Sequence, residues 1–243
     1  MTIESAMVLA AGLGTRMRPI TNTIPKPLVP IAGKPMIDYV LETLAAAGVK
    51  RAVVNVHHHA DQVIAHLGRH EGMEIILSDE RDALMNSGGG LAKGLKLLPP
   101  GTVFVMNADL FWIGESEGRP TNLQRLDQFF DPARMDMALL CVNLDNTTGH
   151  NGMKDFSLAA DGQLIRYRDG DPNPVVYAGA IVMNSALLDD APDDAFNLNI
   201  YFDRAIAVNR LYGLMLEGHW LTVGTPEAID EAEETIRRFL EVV

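Results

Sequence analysis

The chain has 243 residues, of which 47% are hydrophobic and 6% aromatic, so it is long enough for one substantial α/β domain with a full core. Its formal net charge of −12 disfavours a nucleic-acid-binding surface, because phosphate backbones are bound by clustered lysines and arginines. No apolar window reaches membrane-spanning length, no leader sequence is recognisable, and the single cysteine, Cys141, has no disulfide partner. These features predict a cytoplasmic protein with no membrane partner.

The first half of the chain predicts alternating strands and helices. An apolar run of strand length ends at Ala10-Ala11, directly before two closely spaced glycines. Helices are predicted over 36–44, 61–67, 90–98 and 123–130, and strands over 52–56, 73–77, 102–106 and 137–142. This alternation indicates an α/β fold with a mainly parallel sheet flanked by helices.

The second half of the chain has a looser pattern. Three short strands, over 156–158, 164–166 and 175–177, are divided by turn signals, so we expect a small β-rich subregion covering one side of the site. The remaining predicted elements are a strand over 180–183, a helix over 200–208, strands over 212–216 and 219–223, and a last helix that opens at Pro226.

The glycine-rich turn after the first strand is the strongest functional signal. Gly12 and Gly14 let the backbone turn sharply, and successive N–H groups in such a turn form an anion site. Arg16 and Lys26 add the positive charge that a triphosphate needs. The dinucleotide-binding fingerprint fails because its third glycine would fall at Met17, which disfavours a nicotinamide-dependent dehydrogenase, and no Walker phosphate loop begins here. Singly, each residue could also belong to an ordinary solvated turn.

The combined pattern is more specific than any single residue. Gly12-x-Gly14-Thr15-Arg16-x-x-Pro19, followed by Pro25-Lys26-Pro27-Leu28, resembles the signature of the sugar-1-phosphate nucleotidyltransferases. The resemblance implies a Rossmann-like, GT-A-like fold in a single domain over 1–243. A nucleotide-binding half would span about 1–140, and a sugar-binding and closing half about 141–243. The implied partners are a nucleoside triphosphate and a sugar 1-phosphate, with Mg²⁺ as cofactor.

The resemblance also implies roles for individual residues. The backbone of 12–15 would cradle the β- and γ-phosphates, Arg16 would hold the leaving pyrophosphate, and Lys26 would bridge the α-phosphate and the sugar phosphate. Asp109, in Asn107-Ala108-Asp109, would bind Mg²⁺. Further implied nucleotide contacts are Leu9, Ala10, Ala11, Gly12, Gly14, Thr15, Ser87, Gly88, Gly89 and Asn107, with the glycine-rich turn 86–90 reading the base. Implied sugar-phosphate contacts are Lys26, Gly179 and Asn199.

Two departures from the family pattern concern the sugar-phosphate side. Thr222 stands where the family has a second metal-binding aspartate, and the family's Glu-Lys-Pro segment is missing around 166–170. Asp203 is the nearest candidate in sequence for another carboxylate. The triplet His57-His58-His59 invites a metal interpretation, but adjacent side chains point to alternating sides, so a loop that lines the pocket is favoured.

The resemblance favours uridylyl transfer from UTP to a hexosamine-type sugar phosphate, such as N-acetylmuramate 1-phosphate in cell-wall peptidoglycan recycling. Guanylyl transfer to mannose 1-phosphate and thymidylyl transfer to glucose 1-phosphate remain alternatives. A third alternative is a non-catalytic nucleotide-sugar sensor, which the threonine at position 222 supports. The sequence leaves the oligomeric state open.

Overall fold

The computed structural model describes residues 2–241; Met1 and residues 242–243, the ends of the expected domain, lie outside the described residues. The strands are β1 (Ser5–Leu9), β2 (Pro30–Ile31), β3 (Lys34–Pro35), β4 (Arg51–Val56), β5 (Glu74–Asp79), β6 (Thr102–Asn107), β7 (Leu110–Ile113), β8 (Met137–Val142), β9 (Thr147–Thr148), β10 (Phe156–Leu158), β11 (Leu164–Arg166), β12 (Pro174–Asn184), β13 (Leu211–Met215) and β14 (His219–Thr222). The helices are α1 (Met36–Ala46), α2 (Ala60–Leu67), α3 (Asn86–Leu95), α4 (Asn122–Phe129), α5 (Asn199–Ala207) and α6 (Glu227–Glu241).

A mainly parallel sheet forms the centre of the molecule, which confirms the predicted fold class. Its strands run in the order β5-β4-β1-β6-β12-β8-β13. Strand β12 is antiparallel to both of its neighbours, β6 and β8, while the other pairs along this order are parallel. The short strands β10 and β11 extend from the beginning of β12 as an antiparallel pair. The expected β-rich subregion is therefore an extension of the central sheet.

The sheet is buried on both faces, as continuous apolar strands require. Ala6, Met7 and Val8 of β1 are fully buried at the centre. Apolar side chains of α1, α2 and α4 pack on one face of the sheet, and those of α3 and α5 pack on the other. The ends of the parallel strands therefore stay open at one edge, where ligands bind in open α/β sheets.

A second, three-stranded sheet runs in the order β7-β14-β9 and packs against α6. In its register, Thr222 of β14 lies opposite Leu110 of β7. Because Leu110 directly follows Asp109, this small sheet brings the family's second metal position next to the end of β6.

Several element boundaries differ from the sequence prediction. The predicted strands 175–177 and 180–183 form the single strand β12, with a register shift between Tyr177 and Ile181 around Gly179, whose φ is 86°. Strands β7 and β9 and the β2–β3 hairpin were not predicted. Among the described residues, no helix combines the length and apolar character needed to cross a membrane.

Candidate active site

The loop that follows β1 is held in place by contacts with two neighbouring strands. The backbone N–H groups of Ala10 and Ala11 donate to Asn55 Oδ1 of β4, at 2.6 and 3.2 Å. On the other side, Ala108 N, just beyond β6, donates to Leu9 O at 3.1 Å. The loop therefore starts from a fixed position at the open edge of the sheet.

Gly14 is the position in this loop where only glycine fits. Its φ is 62°, and a Cβ there would lie 2.9 Å from Thr21 Cγ2 and 3.1 Å from Lys26 Cβ. The buried Thr21 also donates its hydroxyl to Gly14 O at 2.8 Å. The tight turn predicted from the glycine spacing is present, and it is packed directly against the lysine of the second motif.

Lys26 and Asp109 form an ion pair, in which Lys26 Nζ donates to Asp109 Oδ2. The lysine side chain is 11% exposed and the aspartate side chain 31% exposed. Both line a small cavity of about 60 Å³ between the loop and the end of β6. The two motifs that the sequence places 83 residues apart thus meet at one point.

A larger cavity of about 510 Å³, the first cavity, opens beside Asp109. It is lined by Leu9, Ala11, Gly12, Asn55, Leu84, Asn86, Ser87, Asn107, Asp109 and Ala195. Five of the residues implied as nucleotide contacts are in this lining, Leu9, Ala11, Gly12, Ser87 and Asn107, together with Asp109, the implied metal-binding residue. The wall is formed by the β1 loop on one side and by the start of α3 on the other.

The glycine-rich segment 86–90 is helical and forms the start of α3. The sequence predicted a turn here, with the helix beginning only at residue 90, and this prediction is wrong. Gly88 N and Gly89 N donate to Phe196 O at 2.8 and 3.2 Å. A Cβ on Gly88 would lie 2.2 Å from the Phe196 ring, and one on Gly89 would lie 2.6 Å from Asp194 O. Segment 194–196 can therefore pack against the helix only because residues 88 and 89 are glycines. A side chain at position 89 would disturb this packing in addition to any effect on a bound ligand.

A second cavity, of about 530 Å³, lies on the side of Leu110 and the small sheet. It is lined by Arg16, Leu110, Thr147, Gly149, His150, Asn151, Asp155, Val176, Tyr177, Trp220, Thr222, Gly224, Thr225, Glu227, Ala228 and Glu231. Arg16 is exposed and makes no hydrogen bond or ion pair with residues 2–241. Its guanidinium lies beside Gly224, where a Cβ would be 3.5 Å from Nη1. Arg16 therefore lines the second cavity and is available to bind an anion.

Tyr177 and Asp155 form the polar wall of the second cavity. Tyr177 N donates to Asp155 Oδ2 at 2.9 Å. Burial raises the pKa of the Tyr177 phenol, and the neighbouring Cys141, Asp155 and Asp109 raise this pKa further. The phenol therefore stays protonated and can donate a hydrogen bond, but it cannot act as a base near neutral pH.

Two residues expected to contact the sugar phosphate, Gly179 and Asn199, and the candidate second carboxylate, Asp203, lie outside the linings of both cavities. Gly179 is buried, and a Cβ there would lie 2.5 Å from Leu110 Cδ1. Asn199 Oδ1 accepts from Arg166 Nη2 at 2.9 Å, and Asp203 Oδ1 accepts from Arg166 Nε at 2.8 Å. Asp203 is therefore occupied by an arginine on another part of the surface and is no neighbour of Asp109 in either cavity.

The side chains of the three adjacent histidines, 57–59, contact separate backbone segments and do not converge on one point. His57 Nδ1, His58 Nε2 and His59 Nε2 each contact a different backbone carbonyl, of Glu80, Thr21 and Asn22 respectively, at 2.7, 2.8 and 3.1 Å. None of the three lines either cavity, so the expectation of a pocket-lining loop is wrong: His58 and His59 contact the 19–22 turn, and His57 contacts the backbone of Glu80. Over residues 2–241, no group of three or more His, Cys, Asp or Glu side chains is arranged to hold a metal ion.

The residues around Asp109 nevertheless fit a divalent cation that arrives with phosphates. Mg²⁺ is commonly bound by one or two carboxylates, with substrate phosphate oxygens and water completing its shell. Asp109 is partly exposed, lines the first cavity and borders the loop that would hold the phosphates. Thr222 offers a hydroxyl nearby, so Asp109 is the carboxylate available for this purpose.

Sequence reasoning missed Asn55 and Asp155. Asn55 could have been found as a polar residue inside the apolar run Val53-Val54-Asn55-Val56, where a buried side-chain amide needs hydrogen-bond partners. Asp155 lies in an irregular segment whose contact with Tyr177 spans 22 residues, and no local pattern announces it.

The fold and the two motifs that meet at Asp109 define a nucleotidyltransferase. Residues 5–127 match the family model described as nucleotidyl transferase, and the chain belongs to the family of sugar-1-phosphate nucleotidyltransferases. It is 43% identical over 233 residues to the N-acetylmuramate alpha-1-phosphate uridylyltransferase of Caulobacter vibrioides, a match that covers 94% of this chain and 95% of that protein. It is 31% identical over 231 residues to the Neisseria meningitidis protein of the same name, covering 94% of this chain and 96% of that protein.

Solved structures show the same fold at low sequence identity. HddC from Yersinia pseudotuberculosis, complexed with GMP-PN, matches with a TM-score of 0.77 and 19% identity, over 96% of this chain and all of that chain. A UDP-glucose pyrophosphorylase complexed with UDP-glucose matches with a TM-score of 0.76 and 17% identity, over 97% of this chain and 99% of that chain.

Proposed function

We propose that this protein transfers a uridylyl group from UTP to a hexosamine-type sugar 1-phosphate, with N-acetylmuramate 1-phosphate preferred, in a Mg²⁺-dependent reaction. The choice of UTP and of the sugar rests on the names of the Caulobacter and Neisseria relatives. The observation that carries the proposal is the meeting of Lys26 and Asp109 between the β1 loop and the end of β6. A cation and a carboxylate at one point suit a reaction between two anionic phosphates and a metal.

The reaction needs charge neutralisation and alignment more than it needs a base. A phosphate oxygen of the sugar 1-phosphate forms a bond to the α-phosphorus of UTP, while the bond from that phosphorus to the pyrophosphate oxygen breaks. The second pKa of a phosphate monoester is about 6, so the attacking oxygen is already ionised near neutral pH. Positioning and electrostatic stabilisation are then the tasks left to the protein.

We assign these tasks to the two cavities. The nucleoside would occupy the first cavity and the sugar phosphate the second, so the reacting groups would meet beside Lys26 and Asp109. The backbone of 12–15 would hold the phosphates, Lys26 would bridge the α-phosphate and the sugar phosphate, and Arg16 would neutralise charge on the leaving pyrophosphate. Mg²⁺ held at Asp109 would supply further charge neutralisation on the phosphate oxygens.

The remaining parts of the proposal follow the same division. The nucleotide-binding half would be about 1–140 and the sugar-binding half about 141–243 of a single domain. A role in recycling cell-wall sugars in the cytoplasm agrees with the relatives' names and with dependence on a nucleoside triphosphate. The single cysteine, Cys141, is buried and forms no disulfide, which agrees with a reducing compartment.

A substrate matrix tests the proposal. Pyrophosphate release would be measured for UTP, GTP, CTP and dTTP, each with the 1-phosphates of N-acetylmuramate, N-acetylglucosamine, mannose and glucose. We expect the largest kcat/KM for UTP with N-acetylmuramate 1-phosphate. Preference for GTP with mannose 1-phosphate, or for dTTP with glucose 1-phosphate, would assign the corresponding alternative activity instead.

A sensor that binds without turnover is the second candidate, because Thr222 replaces the family's second metal-binding aspartate. In that case calorimetry would detect binding of UTP or a nucleotide sugar, and no pair in the matrix would release pyrophosphate. Turnover by any pair excludes the sensor.

A further inference from the structure

The side chains of Asn55, which lines the first cavity, and Glu80 form a buried polar pair. Asn55 is 2% exposed and Glu80 is 1% exposed. Asn55 Nδ2 donates to Glu80 Oε1 at 2.7 Å. A buried carboxylate and a buried amide are costly unless their hydrogen bonds are satisfied, so the remaining oxygen atoms of both side chains also need partners.

Each member of the pair holds a different wall of the first cavity. Asn55 Oδ1 accepts from the N–H groups of Ala10 and Ala11, at the start of the β1 loop. Glu80 Oε2 accepts from Met85 N, one residue before α3, at 3.2 Å. The hydrogen bonds therefore run without a break from the phosphate-side loop, through Asn55 and Glu80, to the helix that forms the opposite wall.

Gly90 shows that the fold makes room for this pair. A Cβ at position 90 would lie 2.7 Å from both Asn55 Nδ2 and Glu80 Oε1. Gly88 and Gly89 are needed because segment 194–196 packs against them, whereas Gly90 is needed because the Asn55–Glu80 hydrogen bond lies beside it. A second, independent feature of the sequence thus fits the same contact.

From this connection we infer that Asn55 and Glu80 are positioning residues for the nucleotide. They fix the distance between the β1 loop and the start of α3, and so set the first cavity to the width of a nucleoside triphosphate. This inference rests on the proposed function for the identity of the ligand. It predicts that breaking the pair weakens nucleotide binding and leaves binding of the sugar phosphate in the second cavity nearly unchanged.

Glu80→Gln is the sharpest single change because it preserves shape. Both carboxylate oxygens accept hydrogen bonds, from Asn55 Nδ2 and from Met85 N, whereas a glutamine has one oxygen and would turn its amide N–H groups toward the other donor. We expect the dissociation constant and the KM for UTP to rise about tenfold or more, with kcat/KM for the sugar phosphate at saturating UTP changed less than about threefold.

Asn122 provides a matched control. It is 1% exposed, and its amide binds the backbone of Glu217 through both Nδ2 and Oδ1, each at 2.8 Å. It lines neither cavity. Asn55→Ala and Asn122→Ala should both lower the melting temperature, but Asn55→Ala alone should weaken UTP binding, as measured by calorimetry on the folded proteins.

A reversed pair tests the connection even if Asn55→Ala fails to fold. In Asn55→Asp combined with Glu80→Gln, the glutamine would donate to the new carboxylate and accept from Met85 N, while the carboxylate would accept from Ala10 and Ala11. Asn55→Asp alone would place two carboxylates in contact. The double variant should therefore bind UTP more tightly than Asn55→Asp alone, which a double-mutant cycle measures.

The outcomes separate the inference from the proposed function. The nucleotide used is whichever of the four the wild-type protein binds, so a wrong base leaves the test intact; a wild type that binds none overturns both proposals. With wild-type binding established, equal nucleotide affinity in Asn55→Ala, Glu80→Gln and Asn122→Ala would overturn the inference, as would a double variant no better than Asn55→Asp.

Discussion

The first and second cavities are nearly equal in volume, about 510 and 530 Å³, but they are built in different ways. The first cavity is formed by the ends of parallel strands and the start of a helix, with buried side chains fixing its walls. The second is lined mainly by β9 and β14 of the small sheet, by Val176 and Tyr177 of β12, by the start of α6 and by loop residues over 149–155 and 224–225. The walls of the first cavity are therefore joined by the buried side chains of Asn55 and Glu80, whereas the second cavity lies between β12 of the central sheet and the small sheet.

This contrast matches the way the family signature is distributed. The strong motifs, Gly12 to Lys26 and Asn107-Ala108-Asp109, belong to the first cavity and to its junction with the second. The two departures from the family pattern lie outside the first cavity: Thr222 lines the second cavity at the end of β14, and residues 166–170 lie at and beyond the end of β11. The first cavity, where we propose that the nucleotide binds, thus keeps the family's motifs, and the departures lie outside it.

The junction between the cavities is where substitution should have the largest effect. Asp109→Asn should reduce turnover by about a thousandfold or more, because a neutral amide cannot balance a divalent cation, and a metal in such a site contributes several kcal/mol. The kcat for pyrophosphate release is the measurement, with the circular dichroism spectrum as a control for folding. Undiminished Mg²⁺-dependent turnover would move the metal site away from Asp109.

Arg16→Ala tests whether the second cavity also serves the leaving group. We expect kcat to fall about a hundredfold or more, because a charge-assisted contact to the leaving pyrophosphate is lost. Arg18→Ala, which changes a neighbouring exposed arginine, is the matched control and should stay near wild type. Equal rates for the two variants would remove Arg16 from the reaction.

Lys26→Met tests the bridging contact and leaves Asp109 without its partner. The KM for the sugar phosphate should rise about tenfold or more, since a charge-assisted hydrogen bond to phosphate is lost. Initial rates at varied sugar phosphate and fixed UTP give this value. Unchanged constants for both substrates would assign the bridging role to another cation.

Thr222→Asp should restore the second metal-binding aspartate of the family pattern. Position 222 lies opposite Leu110 in the small sheet, and Leu110 directly follows Asp109 in the sequence. A carboxylate at position 222 would therefore add a metal ligand. The Mg²⁺ concentration for half-maximal turnover, expected at about 1 mM in the wild type from its single carboxylate, should fall about tenfold. Thr222→Asn is the control for shape. Tight Mg²⁺ binding by the wild type without nucleotide would show that an unidentified second carboxylate completes the shell.

The smallest expected effect concerns the strand beneath the second cavity. Burial lowers the pKa of His219 in β14 below its ordinary value of 6.5. As the pH falls, the unfolded chain therefore binds a proton at His219 at a higher pH than the folded chain does. The contribution of neutral His219 to the stability of the fold is present above about pH 6.5 and is lost as the pH falls. Between about pH 7.5 and 5.5, the melting temperature of wild type should drop more than that of His219→Gln; equal drops would contradict this.

Local patterns predicted most of the central sheet and its helices, since apolar runs such as β6 and helical spacing such as α1 depend on neighbouring residues. The start of α3 was wrong by four residues because glycines disfavour helices, and its packing against Phe196 overrides that preference. Asn55 binds partners 25 and 45 residues away, and Tyr177 binds Asp155 across 22 residues that include β10 and β11. Contacts of this kind are set by tertiary structure, so the hydrogen-bond partners of these residues could not be predicted from local sequence patterns in either cavity.

The most direct test of the central claim is a product analysis by phosphorus NMR with UTP and N-acetylmuramate 1-phosphate. The account predicts that one pyrophosphate and one uridine diphosphate sugar appear for each UTP consumed, and that nothing is released when the sugar phosphate is left out. Bound UTP that stays intact with every sugar phosphate, or UTP split to UMP and pyrophosphate without a sugar product, would contradict it.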